Sequence, residues 1–300
     1  MKKNGQGVVC RQVSEITAVP FVPTPGALPG VEVIGFPHLL DRARRHGVDV
    51  TRSVRIGFHE LITVRDGELR CSVDFTTYVL LPGSWLWVWP EQIVQFEAGH
   101  TDCDGRLVVF SAGFPGVTTD RLIRRVQQES SRMISPPATV QTALTGALDA
   151  LEAECAGVLG LPVDARMETM RNLLSVILIR LAHLANQDRP DSYDHETFQR
   201  FRQAVEDGFA RTHSVRAFAT QLGYSERTLT RATQAAAGCG AKRYIDDRVL
   251  LEAKRLLAHT RLTSAAVGAR VGFEHSTAFH AFFRRRMDMT PAEFRRLVQG

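Results

Sequence analysis

The spacing of apolar positions changes along this chain. Residues 31–115 carry short runs rich in β-branched and aromatic residues, whereas residues 118–186 and those after 194 carry apolar positions at three- and four-residue steps. Short runs of the first kind are typical of strands, and the longer spacing is typical of helices. Residues 1–30 are rich in glycine and proline and predict an irregular arm. The expected fold class is therefore α+β, with strands first and helices after them.

Seven short runs in residues 31–117 predict an antiparallel β-barrel or jelly roll. Turn signals separate them, among them Asp66-Gly67 and Pro82-Gly83, which favour tight reversals. In one run Trp85, Trp87 and Trp89 alternate with apolar residues, so they should share one face of a strand.

Three helices are expected after the strands, near Thr118–Glu129, Thr139–Gly157 and Ala165–Ala185. The last carries an apolar stripe made of Met167, Met170, Leu174, Ile177, Leu181 and Leu184. Such a stripe is either internal core or a surface that pairs with a second subunit. We predict that residues 118–186 are a dimerisation region, with a homodimer formed through Ala165–Ala185. The polar residues 187–194 predict a linker.

Residues 195–300 predict two helix-turn-helix units, at about residues 214–237 and 263–287. Upstream, Ser214 is expected to cap a helix over Val215–Leu222, Gly223 to make the turn, and Ser225 to cap a helix over Glu226–Ala237.

The downstream unit repeats this plan. Thr263 or Ser264 caps the first helix, Gly272 makes the turn, and the second helix begins near Ser276. A connecting helix of about 27 Å separates the units. Successive major grooves on one face of DNA are about 34 Å apart, so the connector suits two reading helices in adjacent grooves. The alternative is two helical hairpins in an all-α packing domain.

Charge and cysteines narrow the class of partner. From residue 194 onward there are 18 Lys+Arg against 11 Asp+Glu, a net charge of +7, and the chain total of +5 leaves −2 for the rest. A basic C-terminal third suits a polyanion, although solvated helix faces would also explain it. The five cysteines form no C-x-x-C pair, and the first residues lack an apolar signal segment. Both observations favour a reducing cytoplasm.

A family resemblance rests on residues 262–296, LTSAAVGARVGFEHSTAFHAFFRRRMDMTPAEFRR. This segment resembles the signature of the AraC/XylS family of bacterial transcription regulators, and the likeness extends over about one hundred residues. The matching positions are Ala265, Val267, Gly272-Phe273, Phe279, Phe282-Phe283-Arg284, Thr290-Pro291 and Phe294-Arg295. The chain departs from the family at Gly240-Ala241, where Ser/Thr-Pro is usual, and at Asp288, where glycine is usual.

The resemblance implies which residues contact DNA, because the family reads bases with the exposed first half of each second helix. The implied base-contacting residues are Arg227, Thr228, Arg231, His275, Ser276, Thr277 and His280. Ser225, Thr230, Arg284 and Arg285 are predicted to contact phosphate. Arginine bonds guanine in a bidentate manner, and Ala281 stands where some members carry a base-reading arginine. We therefore expect more sequence specificity from the upstream helix.

The strand region resembles the cupin-type barrel that many of these regulators carry. A cupin enzyme would need a His-x-His pair and a later histidine, but Gly57 precedes His59 and Val94 stands at the later position. His100, Asp102 and Cys103 lie close together on a turn-rich stretch. We predict no catalytic residue, no metal and no cofactor, with Phe58, His59 and Trp87 as candidate effector-binding residues. Plain core packing is the alternative for His59 and for the tryptophans.

The resulting hypothesis is a cytoplasmic transcription regulator that binds double-stranded DNA, with RNA polymerase as a partner if it activates. Its barrel would bind a small-molecule effector or act through dimerisation. The alternative from another class is a cupin-type metal-dependent enzyme with an accessory nucleic-acid-binding domain.

Overall fold

The computed structural model describes residues 17–45, 47–97, 103–126, 132–186 and 193–299. The strands are β1 Thr17–Val19, β2 Val31–Gly35, β3 Val54–Ile56, β4 His59–Asp66, β5 Leu69–Val73, β6 Thr76–Leu80, β7 Trp85–Val88, β8 Ile93–Phe96, β9 Asp104–Phe110 and β10 Arg132–Ile134. The helices are α1 Phe36–Arg45, α2 Val117–Val126, α3 Ala138–Ala156, α4 Val163–Asn186, α5 Tyr193–Gly208, α6 Val215–Leu222, α7 Glu226–Ala237, α8 Ala241–His259, α9 Ser264–Arg270, α10 Ser276–Met287 and α11 Pro291–Gln299.

The strands form two facing five-stranded sheets, in the orders β1-β3-β8-β5-β6 and β10-β7-β4-β9-β2. Neighbouring strands are antiparallel, except that β1 runs parallel to β3. Apolar side chains of both sheets, among them Ile62, Leu86, Val94 and Leu107, fill the space between them. The predicted α+β architecture, with a cupin-like sheet domain followed by a helical domain, is confirmed.

Four short elements, β1, α1, β3 and β10, differ from the sequence-based expectation. The predicted irregular arm contains β1, which pairs with β3, and residues 1–16 lie outside the described part. Helix α1 lies within the region predicted to be strands. Its Phe36, Leu39 and Ala43 are buried at helical spacing. The helix is only ten residues long and lies between apolar strand segments, so its periodicity is hard to recognise in the sequence. The three-residue strands β1, β3 and β10 are too short to give a periodic signal.

Helices α3 and α4 cover the outer face of the second sheet. Trp85, Trp87 and Trp89 lie on that face and pack in the core formed with these helices, while Leu86 and Val88 point between the sheets. The predicted alternation of the tryptophan strand is therefore correct.

The apolar stripe of α4 is mostly internal core. Met170, Leu174, Ile177 and Leu181 are fully buried against the barrel and α3. A homodimer through this helix would therefore use another face, where Val176 and Ile179 are 41% and 45% exposed. In the described part of the chain, no helix is both long and apolar enough to cross a bilayer.

Helices α5–α11 pack around the connector helix α8. Its Tyr244, Ile245, Val249, Ala253 and Leu257 are buried in a single core that also contains the apolar faces of α5, α7, α10 and α11. The core is continuous through both helix-turn-helix units, so the connector holds them in one domain. Linker residues 187–192 lie outside the described part.

Candidate nucleic-acid interface

The upstream unit has the capping chemistry that its sequence predicts. The Ser214 hydroxyl accepts from the amide of Ala217, and the Ser225 hydroxyl accepts from the amide of Thr228 at 3.0 Å. Between the helices, Gly223 has a φ of 73°, a left-handed conformation that glycine adopts without strain. These contacts fix the entry of α7, the helix predicted to read DNA.

One face of α7 is exposed to solvent. Arg227, Thr230, Arg231 and Gln234 are exposed, whereas Leu229, on the opposite face, is fully buried. Thr228, predicted to contact a base, is half-buried, and its hydroxyl lies 2.8 Å from the Ser225 hydroxyl. Thr230, predicted to contact phosphate, shares the exposed face with the two arginines.

Arg231 has a partner within the domain. Its Nε and Nη2 donate to Oδ1 of Asp194, near the start of α5, at 3.1 and 2.9 Å. The arginine side chain is nevertheless 63% exposed. An exposed pair of this kind contributes roughly 0–1 kcal/mol, so the guanidinium can exchange the carboxylate for a base or phosphate at small cost.

The downstream unit is built with closer backbone contacts. Thr263, not Ser264, is the N-cap of α9, and its hydroxyl accepts from the amide of Ala266 at 3.1 Å. A Cβ on Gly268 would lie 2.9 Å from the Cβ of Phe279, so this glycine allows α9 and α10 to approach closely. Helix α10 begins at Ser276 as predicted.

The exposed face of α10 carries most of the predicted contact residues. His275, Ser276, Thr277 and His280 are all exposed. Arg284 and Arg285, predicted to contact phosphate, are exposed further along the same helix. By contrast, Arg286 forms an ion pair with Asp247 of α8, a structural contact that the sequence did not reveal.

The two units repeat with an offset of 50 residues, as in Leu229 and Phe279. Both side chains are fully buried. The offset places Arg227 opposite Thr277 and Arg231 opposite Ala281, and all four residues are exposed. These two equivalent positions therefore carry different chemistry, because both have a guanidinium group in α7 and neither has one in α10.

The two units also contact each other directly. The ring of His213, just before α6, has its Nε2 atom 2.8 Å from the carbonyl oxygen of Val271. A Cβ on the neighbouring Gly272 would lie 2.7 Å from the carbonyl oxygen of Ala210. The downstream turn thus rests on the loop that leads into the upstream unit, which fixes the relative position of the two reading helices.

The structure separates the three candidate effector-binding residues. Phe58 lines an apolar cavity of about 270 Å³ inside the barrel. His59 lines a polar cleft between the barrel and the helical domain, and its ring stacks on Phe110 at 4.8 Å between centroids. Trp87 is 1% exposed in the core beneath α3 and α4.

The candidate metal donors do not converge in the described part of the chain. His59 faces the tryptophans, whereas Glu60, next to it on β4, lines the cavity on the opposite side of the sheet. Among the described residues no cluster of three His, Cys, Asp or Glu side chains is arranged to hold a metal ion. His100 and Asp102 lie outside those residues, and Cys103 is buried.

The barrel and the helical C-terminal domain are joined by ion pairs that are largely shielded from solvent. Glu252 of α8 contacts Arg55 of β3 at 3.2 Å and also Arg248 and Arg255 of its own helix. Burial alone would raise the pKa of Glu252, but the three guanidinium groups lower it below its ordinary value. The carboxylate is therefore charged at neutral pH, and it ties α8 to the sheet.

Comparison with known proteins supports this reading of the C-terminal domain. Residues 218–297 match the family model described as a helix-turn-helix domain. Over 96 residues the chain is 33% identical to the HTH-type transcriptional activator RhaS of Escherichia coli, which covers 32% of this chain and 34% of RhaS. The chain thus spans about a third of the length of the curated relatives it matches.

Solved structures give matches of low TM-score. ToxT from Vibrio cholerae has a TM-score of 0.41 at 11% identity and covers 90% of this chain and 98% of its own. An AraC-type regulator from Chromobacterium violaceum has a TM-score of 0.31 at 24% identity, over 34% of this chain and 90% of its own. The C-terminal domain is therefore similar to the helix-turn-helix domain of the transcriptional activator RhaS.

Proposed function

We propose that this protein is a sequence-specific transcription regulator that binds double-stranded DNA with both helix-turn-helix units. The observation that carries the proposal is the pair of equivalent exposed faces, on α7 and α10, held by one core around α8. The net charge of +7 after residue 194 supports it, because positive charge supplies most of the sequence-independent affinity for DNA. The proposed function is binding and includes no catalytic step.

Within this proposal the contacts divide by residue type. Arg227 and Arg231 would read bases, because a guanidinium can bond guanine O6 and N7 together, worth roughly 1–3 kcal/mol of discrimination. Thr228, His275, Ser276, Thr277 and His280 would supply further base contacts. Ser225, Thr230, Arg284 and Arg285 would bind phosphate and set the register. The fixed contact between the units favours simultaneous binding in two adjacent major grooves.

The N-terminal domain would regulate this binding. An effector in the barrel, or a homodimer through the exposed face of α4 around Val176 and Ile179, would shift the protein between states that differ in affinity for DNA. If the protein activates transcription, RNA polymerase is its further partner. DNA binding places the protein in the cytoplasm under this proposal.

Selection from a random DNA pool tests the proposal. The full chain, at about 0.15 M salt, should enrich a motif with two conserved blocks about one helical turn apart. A variant with Arg284→Ala and Arg285→Ala should enrich the same motif with lower affinity, because it loses phosphate contacts alone. Recovery of unselected sequence by the unaltered chain would overturn the proposal.

A further inference from the structure

The barrel encloses an apolar cavity between its two sheets, beneath α1. Its volume is about 270 Å³, nearly twice the roughly 150 Å³ of an engineered protein cavity that binds benzene. Its walls come from the β1 strand and the segment after it, from α1 and from the inner faces of both sheets, and include Phe21, Leu39, Ile56, Phe58, Phe96 and Val109. The space suits one aromatic ring or a short branched chain with a small head group.

One acidic side chain breaks this apolar lining. Glu60 lines the cavity and is 5% exposed, and its Oε2 atom has no hydrogen-bond partner. A buried polar atom without a partner is unfavourable and is rarely kept without a function. Burial raises the pKa of Glu60 to about 8, so the carboxyl is mostly protonated at neutral pH when the cavity is empty.

The basic residue among those that line the cavity, Arg42, is already engaged. Arg42 forms an ion pair with Glu32, which is 5% exposed, and donates to the carbonyl oxygen of Val22 at 2.9 Å. It also bonds the hydroxyl of Thr24. Arg42 therefore fastens the segment after β1 to α1, and it is not available as a counter-charge when Glu60 ionises.

We propose that this cavity binds a small apolar amine whose ammonium group pairs with the Glu60 carboxylate. An ammonium donates to both carboxylate oxygens and supplies the charge that burial otherwise disfavours. An anionic ligand of the same size would bring a second carboxylate into an apolar wall that offers it no counter-charge, so it should bind more weakly than the amine. Binding moves the carboxyl proton to the buffer and leaves an ion pair in the cavity.

The cavity also has a direct mechanical link to the DNA-binding domain. In β3, Val54 and Ile56 line the cavity, and Arg55 between them points to the other side and bonds Glu252 of α8. A ligand that pushes on the inner face of β3 therefore acts on a strand that is tied to the connector helix. This step rests on the proposed function, whereas ligand binding itself does not.

Calorimetric titration of the full chain with three probes of equal shape tests the proposal. The probes are 2-phenylethylamine, 2-phenylethanol and phenylacetate, measured at about pH 7. The amine should bind at least about tenfold more tightly than either the alcohol or phenylacetate. Measured in buffers of different ionisation enthalpy, amine binding should release about one proton and alcohol binding none, since only the amine ionises Glu60.

A matched pair of variants separates Glu60 from general charge effects. Glu60→Gln keeps the shape and both hydrogen-bonding functions, so it should fold, lose the preference for the amine and lose proton release. Glu68→Gln removes an exposed carboxylate immediately before β5 and should leave the amine preference and the proton release unchanged. The proposal is overturned if Glu60→Gln keeps the amine preference, if phenylacetate binds as well as the amine, or if no probe binds at about 1 mM. None of these results bears on DNA selection, so the proposed function stands or fails separately.

Discussion

Asp74 of the barrel and Arg255 of the connector helix form a buried ion pair between residues 181 positions apart. The Arg255 Nε donates to Oδ1 at 2.8 Å and its Nη2 to Oδ2 at 2.5 Å, and the two side chains are only 6% and 5% exposed. Asp74 also accepts from the amide of Ile93. The tip of the β5–β6 hairpin is thus anchored in the DNA-binding domain.

Breaking this pair should destabilise the whole chain. Asp74→Asn leaves the Arg255 guanidinium buried with Glu252 as its remaining counter-charge, which should lower the free energy of unfolding by about 2 kcal/mol. Asp74→Asn combined with Arg255→Met should lose less than the two single changes added together, because the double variant buries no unpaired charge. Urea unfolding measures the free energy of unfolding of both variants.

The exposed pair of Glu68 and Arg70 is the control, and Glu68→Gln should lower the free energy of unfolding by less than about 1 kcal/mol. Equal losses for Asp74→Asn and Glu68→Gln would refute the assignment.

His259 should make the stability of this contact depend on pH. Its ring stacks on Phe75 at the hairpin tip, and burial, with further effects from Arg55 and Arg255 that outweigh the opposing one of Asp74, lowers its pKa from 6.5 to about 4. Between about pH 4 and 6.5, His259 is therefore protonated in the unfolded chain and neutral in the folded chain. The contribution of the neutral His259 ring to the free energy of unfolding is complete above about pH 6.5 and is lost as the pH falls towards 4.

The comparison of two histidine variants isolates this effect. His259→Gln should flatten the fall in the free energy of unfolding between about pH 7 and 5, because the titrating group is gone. His280→Gln, at an exposed position of α10, should keep the slope of the unaltered chain. Parallel slopes for all three proteins would show that His259 is not the responsible group.

Two glycines with similar backbone angles should differ in tolerance to a side chain. Gly223 and Gly272 have φ angles of 73° and 92°, but a Cβ meets nothing within 4 Å at Gly223 and lies 2.7 Å from a backbone oxygen at Gly272. Gly223→Ala should lower the free energy of unfolding by about 1 kcal/mol through backbone strain alone. Gly272→Ala should lower it further, as thermal unfolding would show, because the Ala210 backbone has to move. A smaller loss at Gly272 would mean that the two units are not in the contact described.

Asp288, which stands where the family usually has glycine, should carry backbone strain that substitution by glycine removes. Asp288 ends α10 with a φ of 54°, and the equivalent residue of α7 is Gly238, with a φ of 69°. A non-glycine residue in this region costs about 1 kcal/mol or more. Asp288→Gly should therefore raise the free energy of unfolding by about 1 kcal/mol, and Gly238→Asp should lower it by a similar amount. A destabilising Asp288→Gly would mean that the aspartate makes a compensating contact.

The family resemblance predicted the packing of the C-terminal domain, whereas the DNA contacts that it implies stay predictions. Several of its matching residues are structural. Phe279 and Phe283 are fully buried, Thr290 and Glu293 cap α11, and Arg295 bonds the carbonyl oxygens of Leu257 and Leu262. Such side chains repeat with helical period, so helix bounds and turns in this domain could be predicted closely from sequence. The contact residues follow no such pattern, and their roles stay predictions.

The barrel was predicted as a set of strands, but not its cavity or its contacts with α8. Alternation already implies that His59 and Glu60 face opposite ways. The sequence does not show which of the two faces the space between the sheets. The face to which each side chain points depends on how β4 pairs with β7 and β9, and these strands are distant from β4 in the sequence. Asp74 and Arg255 were not singled out for the same reason, since 181 residues separate them.

The most direct test of the central claim, that α7 and α10 each read one block of the DNA site, compares the motifs selected by three proteins from one random pool. The unaltered chain should give two blocks. Arg227→Ala with Arg231→Ala should lose base preference in one block, and Thr277→Ala with His280→Ala in the other, with the larger loss of information from the arginine pair. Identical two-block motifs from all three proteins would contradict the account.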